Sequence, residues 1–291
     1  MDSPDTRIES IVTEYRSGAI NRRVFFERLI AVVGTYKLAH HLLEQTGLAM
    51  TLLSPAESDN ANVDSTAVKF PGDGATLEGY LSRPKGKGPF PGIILIHENR
   101  GLNDHIRDVA RRLAEQGYAT LAPDLLSRQG GTASFATSDD ATKAFQSVKD
   151  DDVVRDLNSA YDYLNKNLTV KKDTIAVMGF CWGGQRSFLY ATANPKLKAA
   201  VVFYGTPPSD DKMAQIRCPV LGNYGEKDAR VTSTVAATIE KMKQMGKSYD
   251  PKIYPDAPHA FFNDTNPNSY NEAAAQDAWP RVLAFLKKNL G

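Results

Sequence analysis

One of the two cysteines, Cys181, stands in a setting suited to nucleophilic chemistry. Ile175-Ala176-Val177-Met178 reads as a buried strand, Gly179-Phe180-Cys181-Trp182-Gly183-Gly184 follows it, and a helical segment comes next. This is the strand–turn–helix context of a G-x-S-x-G nucleophile elbow, with sulfur in place of the serine oxygen. Gly179 and Gly183 fit the pattern because a β-carbon at either place would collide with the neighbouring strand or helix. The turn lifts Sγ above the sheet edge. It also points the Trp182 N–H, at the helix start, toward the place where an oxyanion would form. The competing reading is a tight turn around a buried, inert thiol, since free cysteine is among the most buried residue types. The partners found further along the chain weigh against it.

An elbow nucleophile takes its acid and its histidine later in the chain, in that order. Val220-Leu221-Gly222-Asn223-Tyr224 reads as a strand, and Gly225-Glu226-Lys227-Asp228 stands at its carboxyl end, where the ligand-binding groups of doubly wound sheets collect. Asp228 is the candidate orienting acid, with Glu226 as runner-up and a turn-capping role as the alternative for Asp228. Ile253-Tyr254 ends a further strand, and Pro258-His259-Ala260-Phe261 lies in the loop beyond it. The other four histidines are His40, His41, His97 and His105, all earlier than Asp228, so chain order singles out His259.

The chemistry these residues could do is acyl transfer. A free thiol has a pKa of ~8.5, so little thiolate exists at neutral pH without help. His259 would take the proton and Asp228 would hold the imidazole in the required tautomer. Attack on an ester carbonyl would give a tetrahedral oxyanion and then a thioester, which water activated by His259 would release.

Such a constellation needs a sheet to hold it. Residues 67–70 and 77–81 alternate around Pro71-Gly72-Asp73-Gly74, a β-hairpin pattern. Gly92 to Ile96 is a continuous apolar run, as in a strand buried on both faces. A helix with Ile106, Val109, Ala110 and Leu113 on one face ends before Gly117, and Tyr118 to Ala122 is the next strand. Residues 127–139 are rich in Gly, Ser and Thr and read as a loop. Helix 150–168, strand 174–178, helix 184–193, strands 199–203 and 219–224, helix 232–245, strand 251–254 and helix 271–289 complete the pattern. Strands alternating with helices imply an α/β fold with a mainly parallel sheet and helices on both faces.

Residues 1–60 form a separate unit in this reading. Segments 7–16 and 22–45 have helical spacing, and the polar stretch from Ser54 to Asp64 is a linker before the main domain at 65–291. Asn21-Arg22-Arg23-Val24-Phe25-Phe26 resembles a twin-arginine export signal. Lys37, His40, His41 and Glu44 interrupt the apolar run that should follow, so the sequence favours a cytoplasmic protein, with export to the periplasm as the alternative. Phe25, Phe26, Leu29, Ile30, Leu42 and Leu43 offer this segment a role as a homodimer contact or as a lid.

Composition narrows the partners. The chain has 291 residues, 42% of them hydrophobic, with a formal net charge of +1. A balance that close to neutral gives no electrostatic footprint for nucleic acid, and no segment is apolar enough for a clear membrane span. The two cysteines are too few for a disulfide framework, and no metal or cofactor motif is present. A small-molecule substrate fits best.

Taken together, the motifs resemble the dienelactone hydrolase (carboxymethylenebutenolidase) family of α/β-hydrolases, over roughly residues 65–291. The markers are His97-Glu98-Asn99-Arg100-Gly101-Leu102-Asn103, Ala122-Pro123-Asp124-Leu125, the Cys181 elbow, Gly225-Glu226-Lys227-Asp228 and Pro258-His259-Ala260-Phe261. The resemblance implies a hydrolase for lactones or small carboxylic esters, in a subgroup with an N-terminal helical extension. It also implies that Glu98 interacts with the resting thiol and gives way to substrate, and that the Asn99 N–H completes an oxyanion hole with Trp182. Residues from other elements also enter as substrate-binding candidates: Arg100, Phe261 and Asn263. Chlorocatechol-pathway members have an arginine shortly after the histidine that binds the substrate carboxylate. Here that place reads Phe261-Phe262-Asn263, so Arg100 or Arg186 would have to serve instead. The alternatives are a thioesterase and a non-catalytic ligand-binding or thiol-sensing module on the same fold.

Overall fold

The computed structural model describes residues 4–16, 22–33 and 62–291. Eight strands make one sheet: β1 (Val63–Gly72), β2 (Ala75–Pro84), β3 (Phe90–Ile96), β4 (Ala119–Pro123), β5 (Val170–Phe180), β6 (Ala199–Phe203), β7 (Val220–Gly225) and β8 (Tyr249–Tyr254). Their spatial order is β1-β2-β4-β3-β5-β6-β7-β8. The β1–β2 and β2–β4 pairs are antiparallel, and every later pair is parallel. The predicted hairpin closes between Gly72 and Ala75, with Gly74 at a φ of 71° that suits glycine.

Period-two alternation decides which side chains meet which helices. Ile94, Ile96, Val177 and Val202 point to one face. There they pack on α5 (Asp150–Lys166), α6 (Trp182–Ala193) and α9 (Val235–Gln244) through Leu157, Tyr161, Leu164, Phe188 and Met242. Ile93, Leu95, Met178, Val201 and Leu221 point to the other face. There they meet α3 (Asp104–Glu115) and α10 (Glu272–Leu290) through Ile106, Val109, Leu113, Val282 and Leu286. Full burial of each such side chain contributes about 1.5–3 kcal/mol, so the central strands are fixed from both sides. This is the α/β-hydrolase architecture expected from the sequence.

Several boundaries differ from the sequence reading. β5 begins at Val170 rather than near 174, and α4 (Ser138–Ala144) starts inside the stretch read as loop. Thr137 caps α4, its hydroxyl accepting the Asp140 N–H. The short helices α7 (Asp210–Met213) and α8 (Ala229–Thr232) were not expected.

At the N-terminus, α1 (Pro4–Arg16) and α2 (Arg22–Val33) pack on one another. The Tyr15 and Phe25 rings stack at 4.6 Å, and Arg28 pairs with Glu14 at 2.6 Å. Phe25 and Leu29 are fully buried. The expected continuation of the second helix to residue 45, with Leu42 and Leu43, and the linker before residue 62 lie outside the described residues. So do the side chains of Arg22, Arg23, Phe26 and Ile30. Among the described residues, no helix is long and apolar enough to cross a membrane.

Candidate active site

Register places the first residues of the site. Ile96 pairs with Gly179 across β3 and β5, so Glu98 and Cys181 each lie two residues beyond a paired position on adjacent parallel strands. Phe180 pairs with Phe203 across β5 and β6, which sets Tyr204 beside Cys181. All of these groups sit at the carboxyl ends of their strands.

The elbow is strained. Cys181 has a φ of 55° and a ψ of −116°, a conformation that costs a side-chain-bearing residue about 1–3 kcal/mol. Its N–H donates to the Phe203 carbonyl at 3.0 Å and its carbonyl accepts from Gln185 at 3.1 Å, bonds that hold the turn. A β-carbon on Gly179 would lie 2.0 Å from the Gly183 carbonyl oxygen, and one on Gly183 would lie 2.3 Å from that of His97. Both positions therefore require glycine, as the motif predicted.

The Cys181 sulfur is only partly exposed. Burial, and after it the charge of Glu98, push its pKa up to about 11; the N–H groups of Trp182 and Asn99 and the charge of Arg230 act on it in the opposite sense. The two backbone donors expected of an oxyanion hole thus address the sulfur itself. Trp182 packs against Phe145 in a tilted arrangement at 4.7 Å and carries the Arg186 guanidinium over its ring at 4.9 Å.

The second part of the site comes from loops after β7 and β8. Glu226 N–H donates to Tyr254 and Lys227 N–H to Ala257, at 3.0 and 2.9 Å, which staples the two loops together. His259 Nδ1 lies 2.5 Å from Asp228 Oδ2, and that aspartate is buried. A carboxylate oxygen at this distance accepts a hydrogen bond from Nδ1–H, which leaves Nε2 free to accept. Glu226, the runner-up, accepts the exposed Asp256 N–H at 2.9 Å instead. The His259 ring packs 5.0 Å from Tyr204, whose hydroxyl is buried and feels the charges of Glu98 and Cys181. Tyr204 therefore bridges the two parts, a contact with no signal in the sequence. Among the described residues, no hydrogen bond joins His259 to Cys181, and the charge of Glu98 acts on the sulfur.

Glu98 is 5% exposed. Its Oε2 accepts from Asn263 Nδ2 at 3.1 Å, and its Oε1 has no partner among the described residues. His97 holds the backbone here: Leu125 N–H donates to its Nε2 at 3.1 Å, so its Nδ1–H faces the Glu98 carbonyl at 2.7 Å. Burial lowers the His97 pKa, consistent with a neutral ring in that one tautomer. Asp124, from the Ala-Pro-Asp-Leu marker, accepts from Leu126 and twice from Thr132, and so shapes the loop after β4 rather than reaching the sulfur.

Two of the substrate-binding expectations need correcting. Phe261 is fully buried among Tyr204, Phe203 and Tyr254, because the loop turns it into the core. Asn263 is also buried, with its oxygen bonded to Thr265 and its amide to Glu98, so it does not face a substrate. Arg186 is committed to Asp150 and Trp182. Arg100 is exposed. Arg230, exposed on the single-turn α8, went unremarked in the sequence because an isolated surface arginine has no pattern, yet its charge acts on Cys181.

Residues 77–290 match the model of the dienelactone hydrolase family. A protein of Methylorubrum extorquens named "Putative carboxymethylenebutenolidase" is 36% identical over 265 residues, covering 84% of this chain and 89% of that relative. One of the same name from Escherichia coli is 34% identical over 266 residues, covering 84% and 96%. The crystal structure of a "Putative Dienelactone Hydrolase" from Klebsiella pneumoniae superposes with a TM-score of 0.72 at 34% identity, over 77% of this chain and 98% of that one. The chain is a hydrolase of the dienelactone hydrolase family, on the α/β-hydrolase fold.

Proposed function

We propose that the protein cleaves a lactone or small carboxylic ester, with Cys181 as nucleophile, His259 as general base and Asp228 as the group that orients the imidazole. The observation that carries this reading is the Asp228–His259 pair, assembled at the same sheet edge as a strained cysteine whose sulfur faces two backbone donors.

With a pKa of about 11, on the order of one sulfur in ten thousand is thiolate at neutral pH, so the resting enzyme is protected from stray electrophiles. Substrate entry displaces the hold of Glu98, and a turn about the Cα–Cβ bond carries Sγ toward His259. The S–C bond forms as the thiol proton passes to Nε2 of His259, and the carbonyl π electrons move to oxygen. The N–H groups of Trp182 and Asn99 receive that oxyanion. Such a donor is worth about 10²–10³ in kcat. Collapse breaks the C–O bond, and the leaving oxygen takes the proton from His259; in a lactone it stays tethered to the acyl group. Water then gives a proton to His259 and adds to the thioester. Loss of the thiolate, reprotonated by His259, frees the carboxylic acid.

Arg230 supports an acidic substrate group: it is exposed on the helix following Asp228 and its charge acts on the Cys181 sulfur, so a substrate carboxylate there would have a cationic partner. Purified protein should show a burst of p-nitrophenol from p-nitrophenyl acetate and a transient acyl adduct on the Cys181 peptide. Cys181→Ala should lose both while remaining folded. Undiminished turnover in that variant sinks the mechanism, and saturable binding with no turnover in the wild type leaves only a binding module.

A further inference from the structure

Asn263 has a fixed orientation. Its Oδ1 accepts from the Thr265 N–H at 3.1 Å and from the Thr265 hydroxyl at 2.7 Å, which leaves Nδ2 directed at Glu98 Oε2, 3.1 Å away. All three side chains are buried. A buried carboxylate needs donors, and among the described residues the Asn263 amide is the side-chain donor that Glu98 has. An amide supplies a hydrogen bond without neutralising charge. The titratable groups acting with Glu98 come from two other places, Cys181 on the elbow and Tyr204 after β6, and from its own strand end, the neutral His97. Arg230 acts on the sulfur from α8.

We infer that Asn263, locked by Thr265, is a positioning residue that pins the Glu98 carboxylate beside the Cys181 sulfur and so keeps the resting nucleophile masked. The inference rests on the reading of Cys181 as nucleophile, but it concerns the thiol and can be tested without turnover. Without the amide, Glu98 is free to swing away from the sulfur, and its opposition to the thiolate is relieved.

The test is the pH profile of alkylation by iodoacetamide, with Cys181 and Cys218 separated by peptide mass spectrometry. Asn263→Ala should lower the Cys181 midpoint by about one unit, which is roughly tenfold faster labelling near pH 8. Thr265→Val keeps the amide and one of its two anchors, so the midpoint should move the same way by less. It also serves if the alanine variant does not fold. In a Glu98→Gln background, where the midpoint is already lowered, Asn263→Ala should add nothing, because its target is gone. An unmoved midpoint in both single variants overturns the inference, as does an equal shift with and without Glu98, which would mean Asn263 acts through packing alone. Failure of wild-type ester hydrolysis would instead count against the mechanism and leave this labelling series readable.

Discussion

On one side of Cys181, the end of β3 brings Glu98, braced by His97 behind it and by Asn263 in front. On the other side, loops stapled between β7 and β8 bring Asp228 and His259, already bonded to each other. In the proposed mechanism the sulfur answers to the first group at rest and to the second during turnover. Charge explains the division: a carboxylate beside a buried thiol disfavours the thiolate, whereas a carboxylate behind an imidazole strengthens the base. Two acids of similar chemistry thus have opposite effects on one nucleophile, set by whether a histidine stands between.

Variants can separate the two sides. His259→Ala should lower kcat/KM for p-nitrophenyl acetate by on the order of 10²–10⁴, while the resting Cys181 still labels with iodoacetamide at nearly the wild-type rate. A large fall in labelling would mean that the imidazole already serves the sulfur at rest. Asp228→Asn should lower kcat by roughly 10²-fold or more, because the amide no longer enforces the tautomer with a bare Nε2, and KM should move little. Steady-state kinetics at pH 7 decide it. In the wild type, labelling of Cys181 should rise about tenfold per pH unit through the neutral range and level off only near pH 11. The sign follows from a thiol that keeps its proton longer when folded, and a plateau near pH 8 contradicts it. The smallest effect belongs to Arg230→Ala. KM should rise by about fivefold for an ester with a free carboxylate and stay unchanged for its neutral counterpart. Equal changes for both would remove Arg230 from recognition.

Much of this arrangement was legible in the chain. Gly179 and Gly183 announced the elbow because close backbone approach excludes a β-carbon there. Chain order and strand ends pointed to Asp228 and His259 as a pair. The continuous apolar strands gave the sheet, since burial on two faces leaves no polar positions. Other features left no trace. α7 and α8 are single turns, too short for periodicity to register. Asn263 and Glu98 meet across 165 positions of sequence, and nothing local marks which group an amide will face. Phe261 looked available because it follows the histidine, but the direction of a loop side chain depends on the core into which it folds.

The pairing of Ile96 with Gly179 has a consequence for how this scaffold can vary. Both strands are clamped between helices, and a one-residue slip would turn every inward side chain outward. The spacing of Glu98 and Cys181 is therefore inherited with the sheet, and insertions in surface connections leave it intact. The Asp228 and His259 segments instead follow the ends of β7 and β8 and are held to each other by loop hydrogen bonds, outside the register of the central strands. Loop grafting between relatives should then exchange substrate preference and base geometry while the restrained thiol travels unchanged with the framework.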